Sequence, residues 1–286
     1  MKILSILNKL TKRQYDSIFL SLSIIGIISS IFTILGISLT TLLVSMNIWC
    51  RVLLVFLIFL LLCILIYLIK GIIYKNHIKI VVRKTPVEIF VGNLFEVEGY
   101  KVIGCDSHFD TRVDDIVISK KSLHGQLVLK HGVKEEIELA VEKEAQRIGV
   151  EKIDNQYTFQ LGTIIKYESS KDDETYLMLA MLNLDSEYKA RTNMEEFERM
   201  LMHMWKEIDR VYASHDIVIP ILGEGITRFN DGPKEANSLL KCILCTLNSS
   251  GVSLNSTVKV VIYGENKDIP LYEYKDLFRM MPINKK

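Results

Sequence analysis

Four polar side chains alternate with other residues between Gly104 and Arg112. They are Asp106, His108, Asp110 and Arg112; Ser107, between the first two, is a further candidate ligand contact outside the alternating set. If this segment is extended, the four point to the same side, because successive residues of a strand face opposite ways. Carboxylates and an imidazole on one side can serve acid–base chemistry, hold a metal or contact a ligand. We interpret them as ligand contacts, with solvated loop side chains as the alternative and no metal ligands.

A glycine-rich segment directly follows an apolar run, residues 217–222, that suits a buried parallel strand. Glycines at a strand-to-helix turn let backbone N–H groups face an anion. Glu224 can accept from a ribose hydroxyl or a cationic ligand group, and Arg228 offers a two-pronged donor to phosphate. An ordinary surface turn is the alternative. The candidate ligand contacts are Gly223, Glu224, Gly225, Ile226, Thr227, Arg228 and Phe229.

A third candidate segment is Ser122-Leu-His-Gly-Gln126. A histidine before a glycine can bond a phosphate, although a plain loop histidine fits the pattern as well. The ligand contacts expected here are Ser122, His124, Gly125 and Gln126. Cys242 and Cys245 have a spacing seen in zinc sites, but they lie inside a helical pattern without a second ligand pair. We interpret them as core cysteines.

Strand and helix patterns alternate in the part of the chain that must position these segments. Strands are predicted at 87–91, 101–105, 157–167, 175–184, 216–222 and 258–263, and helices at 133–148, 193–212, 233–247 and 271–280. This alternation predicts an α/β layer fold. In such sheets ligands bind beyond the carboxyl ends of the strands, where the three candidate segments fall.

The N-terminal part has a different composition. No charged residue occurs between Asp16 and Arg51, nor between Arg51 and Lys70. A helix of roughly 20 apolar residues crosses a bilayer. We therefore predict an interfacial segment at 1–16, a transmembrane hairpin at 17–74 with spans at about 18–44 and 52–73, and a cytoplasmic domain at 85–286.

The charges are divided between these parts. Residues 1–84 contain ten Lys and Arg against one acid, while the remainder contains 25 basic and 33 acidic side chains. Basic flanks place both termini on the cytoplasmic side of a cell inner membrane. The acidic remainder argues against a nucleic-acid partner. Five scattered cysteines on such a chain indicate free thiols.

The first span carries small residues at helical spacing. The pairs are Gly26/Ser30, Ser29/Thr33 and Gly36/Thr40. Such pairs let helix backbones approach closely in lipid. Two interpretations stay open: the helix packs against copies of itself in a homo-oligomer, or it packs only on the second helix of its own chain.

Four segments in this order resemble a macro domain over about residues 85–286. Glu88-Ile-Phe-Val-Gly-Asn-Leu94 is similar to the family's opening strand and Gly-Asp-Ile turn, with Asn93 where an Asp usually meets the adenine. Val102-Ile-Gly-Cys-Asp-Ser107 stands in place of the Asn-containing segment. His124-Gly-Gln-Leu-Val128 stands for the first phosphate loop, and Ile219-Pro-Ile-Leu-Gly-Glu-Gly-Ile226 for the second. The resemblance implies a mixed central sheet with helices on both faces. It also implies an ADP-ribose derivative as ligand, contacts at Asn93 and Leu94, and no cofactor.

Macro domains behind two membrane helices resemble effectors of Thoeris antiphage systems. In these, a TIR-domain partner makes a signal nucleotide from NAD, and the effector binds it and disrupts the lipid bilayer. The paired asparagines and glycine run of hydrolytic macro domains are missing here, which implies a binder and no enzyme. The alternatives are a membrane-tethered ADP-ribosyl hydrolase, with Asp106 or Glu224 activating water, and a non-catalytic ADP-ribose-binding scaffold.

Overall fold

The protein is described by a computed structural model over residues 12–34, 47–154, 156–184, 190–225, 227–264 and 269–276. The described chain divides into two compact units. The first ends at Lys75 and also includes Pro270–Tyr274, and the second runs from Asn76 to Ile269 and resumes at Lys275. The second unit therefore begins before residue 85, where the sequence suggests a boundary.

The first unit is built on two long apolar helices that pack against each other, α1 (Lys12–Ile34) and α2 (Ile48–Ile73). Both are long and apolar enough to cross a membrane. Most of their large apolar side chains are exposed, for example Phe19 and Leu61. These two helices fit the expected hairpin. The interfacial segment was predicted at 1–16; its residues 12–16 belong to α1 in the structure. Residues 1–11, residues 35–44 of the first span and the Gly36/Thr40 pair lie outside the described residues.

The contact between the two helices is polar near their paired ends. Ser17 and Ser21 of α1 are buried. The guanidinium of Arg13 donates from Nε to the Tyr67 carbonyl at 2.8 Å and lies 3.6 Å from the centre of the Tyr67 ring. A Cβ at Gly71 would lie 2.0 Å from Arg13 Nη2, so a side chain there would displace the guanidinium. Gly26, by contrast, is exposed, and a Cβ there would meet nothing within 4 Å.

Nine strands of the described chain form one mixed sheet in the order β1-β2-β9-β7-β3-β5-β6-β8, with β4 also paired to β5. The strands are β1 (His77–Val82), β2 (Thr85–Gly92), β3 (Tyr100–Asp106), β4 (Ile164–Glu168), β5 (Thr175–Leu184), β6 (Ala190–Thr192), β7 (Ile217–Pro220), β8 (Arg228–Phe229) and β9 (Val258–Tyr263). The strands β2, β9, β7, β3 and β5 are parallel. Their carboxyl ends therefore meet at one edge.

The helices of the second unit cover both faces of this sheet. They are α3 (Leu123–Gln126), which continues into a π-helical turn at Leu127–His131, α4 (Lys134–Ile148), α5 (Met194–Val211) and α6 (Ala236–Ser249). The apolar side of α4 packs with Ile103 and Cys105 of β3 in one buried cluster. On α5 and α6, Trp205 Nε1 donates to Thr246 Oγ1 at 3.1 Å, so the two helices are joined inside the core.

Several predicted elements agree closely with the structure. The predicted strands at 175–184 and 258–263 have the bounds of β5 and β9. The predicted cap of α5 is present, since Asn193 Oδ1 accepts from the Glu196 N–H at 2.9 Å. Burial of Phe197, Leu201, Met204 and Ile208 confirms the apolar stripe of that helix. The last predicted helix begins at Leu271 as a 3-10 helix, and residues 277–280 lie outside the described part.

The predicted strand at 157–167 is wrong over most of its length, because only Ile164–Glu168 is a strand. Gly162 has φ +94, outside the β region, and a Cβ there would lie 2.5 Å from His203 Cβ. The backbone before Gly162 bonds to the loop after β3 instead of to a strand, since Phe159 donates its N–H to the Ser107 carbonyl at 2.9 Å. The backbone therefore turns where the residue types favour extension. The short strands β1, β6 and β8 were not predicted.

Candidate functional site

The segment after β3 turns sharply. Asp106 Oδ1 accepts from the His108 N–H at 2.8 Å, a local turn closed by the carboxylate. Phe109 then has φ +54, and its buried ring contacts Phe159 edge-on at 5.2 Å between centroids. The segment is therefore not extended, and the prediction that its four alternating polar side chains point to one side is wrong. Burial of the Phe109 ring in the core requires the turn.

The polar side chains of this turn consequently have separate surroundings. Asp106 is buried, and the His108 ring Nδ1 lies 2.8 Å from the Tyr157 carbonyl. Asp110 Oδ1 accepts from the Arg112 N–H at 2.8 Å. Arg112 Nε lies 3.5 Å from Asp114 Oδ2 at an exposed position. Asp106 thus faces inward, whereas Arg112 lies at the solvent side of the turn.

His124 joins Asp106 and Asp110 from the next segment. It is 6 % exposed, and burial lowers the pKa of its imidazole below the usual value. The charges of Asp106 and Asp110 and a hydrogen bond to the Asp110 backbone oppose that shift without cancelling it. A neutral imidazole beside two carboxyl groups can accept a proton from a ligand hydroxyl or a water. The structure thereby brings together three of the predicted site residues.

Ser107 lies beside this cluster with its hydroxyl buried. No hydrogen-bond partner for its Oγ exists among the described residues. Its backbone is fully engaged, because the N–H donates to the Leu182 carbonyl at 2.8 Å and the carbonyl accepts from Phe159. A buried hydroxyl without a partner is costly, so it is a point at which a bound polar group would gain a hydrogen bond.

The segment Ser122–Gln126 forms a capped helical turn. Ser122 Oγ accepts from the Gly125 N–H at 2.9 Å, and the Ser122 carbonyl accepts from the Gln126 N–H at 2.9 Å. The Gln126 side chain donates to the Lys121 carbonyl at 3.1 Å. The backbone amides of Gly125 and Gln126 and the side-chain amide of Gln126 therefore all stabilise the turn itself. A Cβ at Gly125 would lie 2.2 Å from the Ser119 carbonyl oxygen, so close packing requires glycine here.

The segment after β7 has the open backbone expected of an anion-binding turn. Gly223 has φ +83 and Gly225 has φ +133, conformations that side-chain-bearing residues rarely adopt. Within the part of the chain that the structure describes, neither glycine donates its N–H to another backbone group. Glu224 donates its N–H to the Ile221 carbonyl at 3.3 Å. Ile226 lies outside the described residues, and Thr227 is half-buried.

The end of this segment is anchored by Phe229. Its ring is buried and meets Phe197 edge-on at 5.6 Å, and a Cβ at Gly223 would lie 3.3 Å from it. Arg228 precedes it and is exposed. In the β6–β8 pair, Arg228 is the register partner of Arg191. The sequence gives no signal for this neighbour, because only the pairing of β6 with β8 brings Arg191 beside Arg228.

Asn93 and Leu94 differ from the other predicted contacts. Asn93 Oδ1 accepts from the Phe95 N–H at 3.3 Å, and its Nδ2 donates to Glu96 Oε1 at 2.8 Å. Its side chain therefore caps the short 3-10 helix Leu94–Glu96. Leu94 is 2 % exposed within the cluster that includes Ile103 and Phe109, so it is a core residue in this structure.

The strand register relates the candidate segments. Tyr100 of β3 lies beside Ile217 of β7, so Asp106 and Gly223 each follow six residues later in the same direction. Asn93 follows β2, whose carboxyl end is at the same edge. The shallow cavity lined by His77, Glu88, Phe90, Val97 and Lys259 lies elsewhere, against the faces of β2 and β9. Asp106, His124 and the glycine turn therefore define the candidate site.

A metal site is absent from the described part of the chain. No group of three or more His, Cys, Asp or Glu side chains there is placed to hold a metal ion. All five cysteines are free. Burial and the nearby Glu198 raise the pKa of the Cys242 thiol to about 12, which keeps it protonated near neutral pH. Cys242 is a buried residue of α6, as predicted, whereas Cys245 lies on the exposed side of the same helix, so its prediction as a core cysteine is wrong.

Comparison with known proteins decides the family. The family model described as "Thoeris protein ThsA, Macro domain" matches residues 87–263. The Thoeris protein ThsA of Bacillus amyloliquefaciens (strain Y2) is 30% identical over 246 residues, covering 79% of this chain and 80% of that protein. The chain belongs to the Thoeris ThsA family. Its second unit is the ThsA macro domain, and the two apolar helices precede it.

Solved macrodomains are more distant from this ThsA family member. An Oceanobacillus iheyensis macrodomain with MES bound is 16% identical, with a TM-score of 0.46, over 72% of this chain and 99% of that one. The same organism's macrodomain with ADP is 15% identical, with a TM-score of 0.44, over 70% and 95%.

Proposed function

We propose that the protein is a membrane-anchored effector of Thoeris antiphage defence that senses an ADP-ribose-derived signal nucleotide. One observation carries this proposal: a ThsA macro domain follows two apolar helices of membrane-spanning length in the same chain. A TIR-domain protein would supply the nucleotide. The signal would then be converted into damage to the bilayer that holds the protein.

The surface of the helical hairpin supports membrane insertion. Leu53, Phe56, Leu57, Leu61 and Leu68 of α2 are all more than half exposed. Exposed apolar area of this extent is unfavourable in water and favourable in hydrocarbon. The basic flanks at Lys12, Arg13 and Lys75 favour cytoplasmic termini, with Arg51 in the outer turn.

Ligand binding is supported by the geometry of the carboxyl edge of the sheet. The turn at Gly223–Gly225 offers backbone N–H groups to a diphosphate. Buried Asp106 and the unpartnered Ser107 hydroxyl offer polar contacts beside it. The first loop contributes less than the family resemblance implies, because the Gly125 and Gln126 amides are used within their own turn.

Activation by oligomerisation is the proposed link to the membrane. The Gly26, Ser30 and Thr33 face of α1 is exposed and is not covered by α2. The hydroxyls of Ser30 and Thr33 each donate a hydrogen bond to the backbone carbonyl four residues earlier. This face therefore presents small side chains whose hydroxyl groups already have acceptors. Close helix–helix contact with further copies requires such a face.

The experiment that tests this function is ligand-triggered leakage. The full chain is reconstituted into dye-filled vesicles of bacterial lipid, and the product of a TIR-domain partner acting on NAD is added. Dye release that requires both the protein and the product supports the proposal. Release without the product, or no release although the product binds, would contradict it.

Hydrolysis of an ADP-ribosyl bond is the second candidate function. The observation that favours it is the neutral, buried His124 beside Asp106, an arrangement suited to accept a proton from water. Incubation of the full chain with ADP-ribosylated protein and with ADP-ribose conjugates, followed by mass spectrometry, tests it. Recovery of intact substrate favours the sensor. Release of ADP-ribose by the wild type but not by His124→Gln favours the hydrolase.

A further inference from the structure

A short segment that follows the last strand belongs to the helical hairpin unit. It is Pro270–Tyr274, and we call it the strap. Tyr272, at the centre of the strap, is 5% exposed, whereas most large apolar side chains of the two helices are exposed. A segment from far along the chain is therefore packed into the first unit.

Tyr272 connects the two helices at their paired ends. Its phenol donates a hydrogen bond to the Asp16 carboxylate of α1. At the end of α2, the Tyr74 ring meets the Tyr272 ring edge-on at 5.2 Å between centroids, and Lys70 Nζ lies 5.5 Å from the centre of the Tyr272 ring. Since Lys70 and Tyr74 are four residues apart, they lie on one side of α2. One side chain of the strap thus ties α1 to α2.

The contacts that form this tie suit an interaction that is made in one state and broken in another. A hydrogen bond to a charged group, an edge-on pair of rings and a cation beside a ring are each of modest strength. Together they favour one arrangement of the helices, yet a ligand that binds another arrangement more tightly can outweigh them. The tie therefore has the energetic character of a reversible contact.

The strap is also joined by a short stretch of chain to the edge of the sheet that carries the candidate site. In the register of β7 and β9, Pro220 lies beside Val261. Three residues further along each chain direction are Gly223, in the glycine turn, and Gly264. Five residues, 265–269, then separate Gly264 from the strap. A backbone shift at this edge can therefore act on the strap through few residues.

We propose that the strap is an autoinhibitory element. In the resting protein it ties α1 to α2 through Tyr272, and nucleotide bound at the carboxyl edge of the sheet favours a state in which the strap is released. A ligand shifts such an equilibrium only by binding the two states with different affinity, so the nucleotide binds the released state more tightly. Release frees α1 to pack against further copies. This inference rests on the proposed function and supplies its link between nucleotide and bilayer.

The test compares full-length variants in dye-filled vesicles of bacterial lipid. Tyr272→Phe removes the hydrogen bond to Asp16 and keeps the ring. Without any nucleotide it is expected to release dye about tenfold faster than the wild type, because it loses a hydrogen bond to a charged group. In calorimetry it is expected to bind the product of a TIR-domain partner acting on NAD more tightly by the same factor, because the released state is more populated. Loss of a merely structural contact would not tighten binding.

Matched variants keep the test interpretable. Asp16→Asn retains an acceptor oxygen without the charge, so smaller changes in the same direction are expected. It also tests the inference if melting temperatures show that Tyr272→Phe does not fold. Tyr15→Phe makes the same change as Tyr272→Phe at a side chain of α1 that is 48% exposed, and it is expected to leak and to bind like the wild type.

The failure of this inference is distinguishable from failure of the proposed function. If the wild type leaks with the product, and Tyr272→Phe and Asp16→Asn both leak and bind like it, the strap is not autoinhibitory and the sensor stands. If Tyr272→Phe is silent without nucleotide and loses the triggered leakage, the strap supports the active state and the inference is again wrong. If the wild type does not respond to the product, both are wrong.

Discussion

The phenol of Tyr272 donates a hydrogen bond to the carboxylate of Asp16, although 256 positions separate them. The same ring meets Tyr74 edge-on at 5.2 Å, and Lys70 Nζ lies 5.5 Å from its centre. Tyr272 thereby contacts both α1 and the end of α2. A short segment near the C-terminus is thus an integral part of the helical hairpin unit.

Tyr272→Phe is expected to destabilise the hairpin unit. The change removes a hydrogen bond to a charged group and keeps the ring, at a cost of about 1–2 kcal/mol. Thermal unfolding of the full chain in detergent measures the loss. Tyr263→Phe is the control, because Tyr263 is 72% exposed. Equal melting temperatures for Tyr272→Phe and the wild type would show that the contact contributes nothing.

Mild acid is expected to destabilise the macro domain through His124. Burial lowers the pKa of this imidazole in the folded state below its usual value of about 6.5, so the unfolded chain binds the proton more readily. The contribution of the neutral His124 to the free energy of unfolding is therefore complete above about pH 6.5, and it is lost as the pH falls below that value. The negative charges of Asp106 and Asp110 favour the protonated imidazole and so limit this loss of stability.

The measurement is the urea midpoint of the full chain between pH 8 and pH 5. In His124→Gln the fall of the midpoint toward pH 5 is expected to be smaller than in the wild type. His215→Gln makes the same change at an exposed position and is expected to follow the wild type. An identical pH dependence in His124→Gln and the wild type would contradict this account.

The glycine turn after β7 gives a prediction that separates binding from stability. Gly225→Ala places a side chain at φ +133, and Gly251→Ala does so at φ +85; neither Cβ meets an atom within 4 Å. Each is expected to cost about 1–3 kcal/mol of backbone strain. Only Gly225→Ala is expected to weaken ADP-ribose binding in calorimetry. Equal affinities in the two variants would remove the turn from the site.

Gly26→Leu tests the proposed oligomer. The added side chain meets nothing in the single chain, so the hairpin itself is expected to tolerate it. Contact between copies through this face would be blocked. Nucleotide-triggered leakage is then expected to be lost while nucleotide affinity is kept. Ile27→Leu, at an exposed neighbouring position, is the control, and full leakage by Gly26→Leu would argue against this face.

Elements with a strong local signal could be predicted from the sequence. The stripe of α5 and its Asn193 cap are both local, and the apolar runs of β7 and β9 can only be buried. The macro-domain resemblance was recognisable because the second loop keeps its glycines at the end of such a run.

Features that depend on distant partners could not be predicted. Lys101 is fully buried in β3 because Glu174, 73 positions away, accepts from its Nζ at 2.6 Å. The turn at Asp106 depends on a core position for Phe109, and the Arg191–Arg228 pair depends on two short strands. No periodicity in the sequence records these contacts.

The most direct test of the central claim is calorimetric titration of the full chain with ADP-ribose and with the nucleotide that a TIR-domain partner makes from NAD. The recovered ligand is analysed by mass spectrometry. The sensor account predicts tight binding of the TIR product in preference to ADP-ribose, with the ligand recovered intact. Breakdown of the ligand, or no binding of either nucleotide, would contradict it.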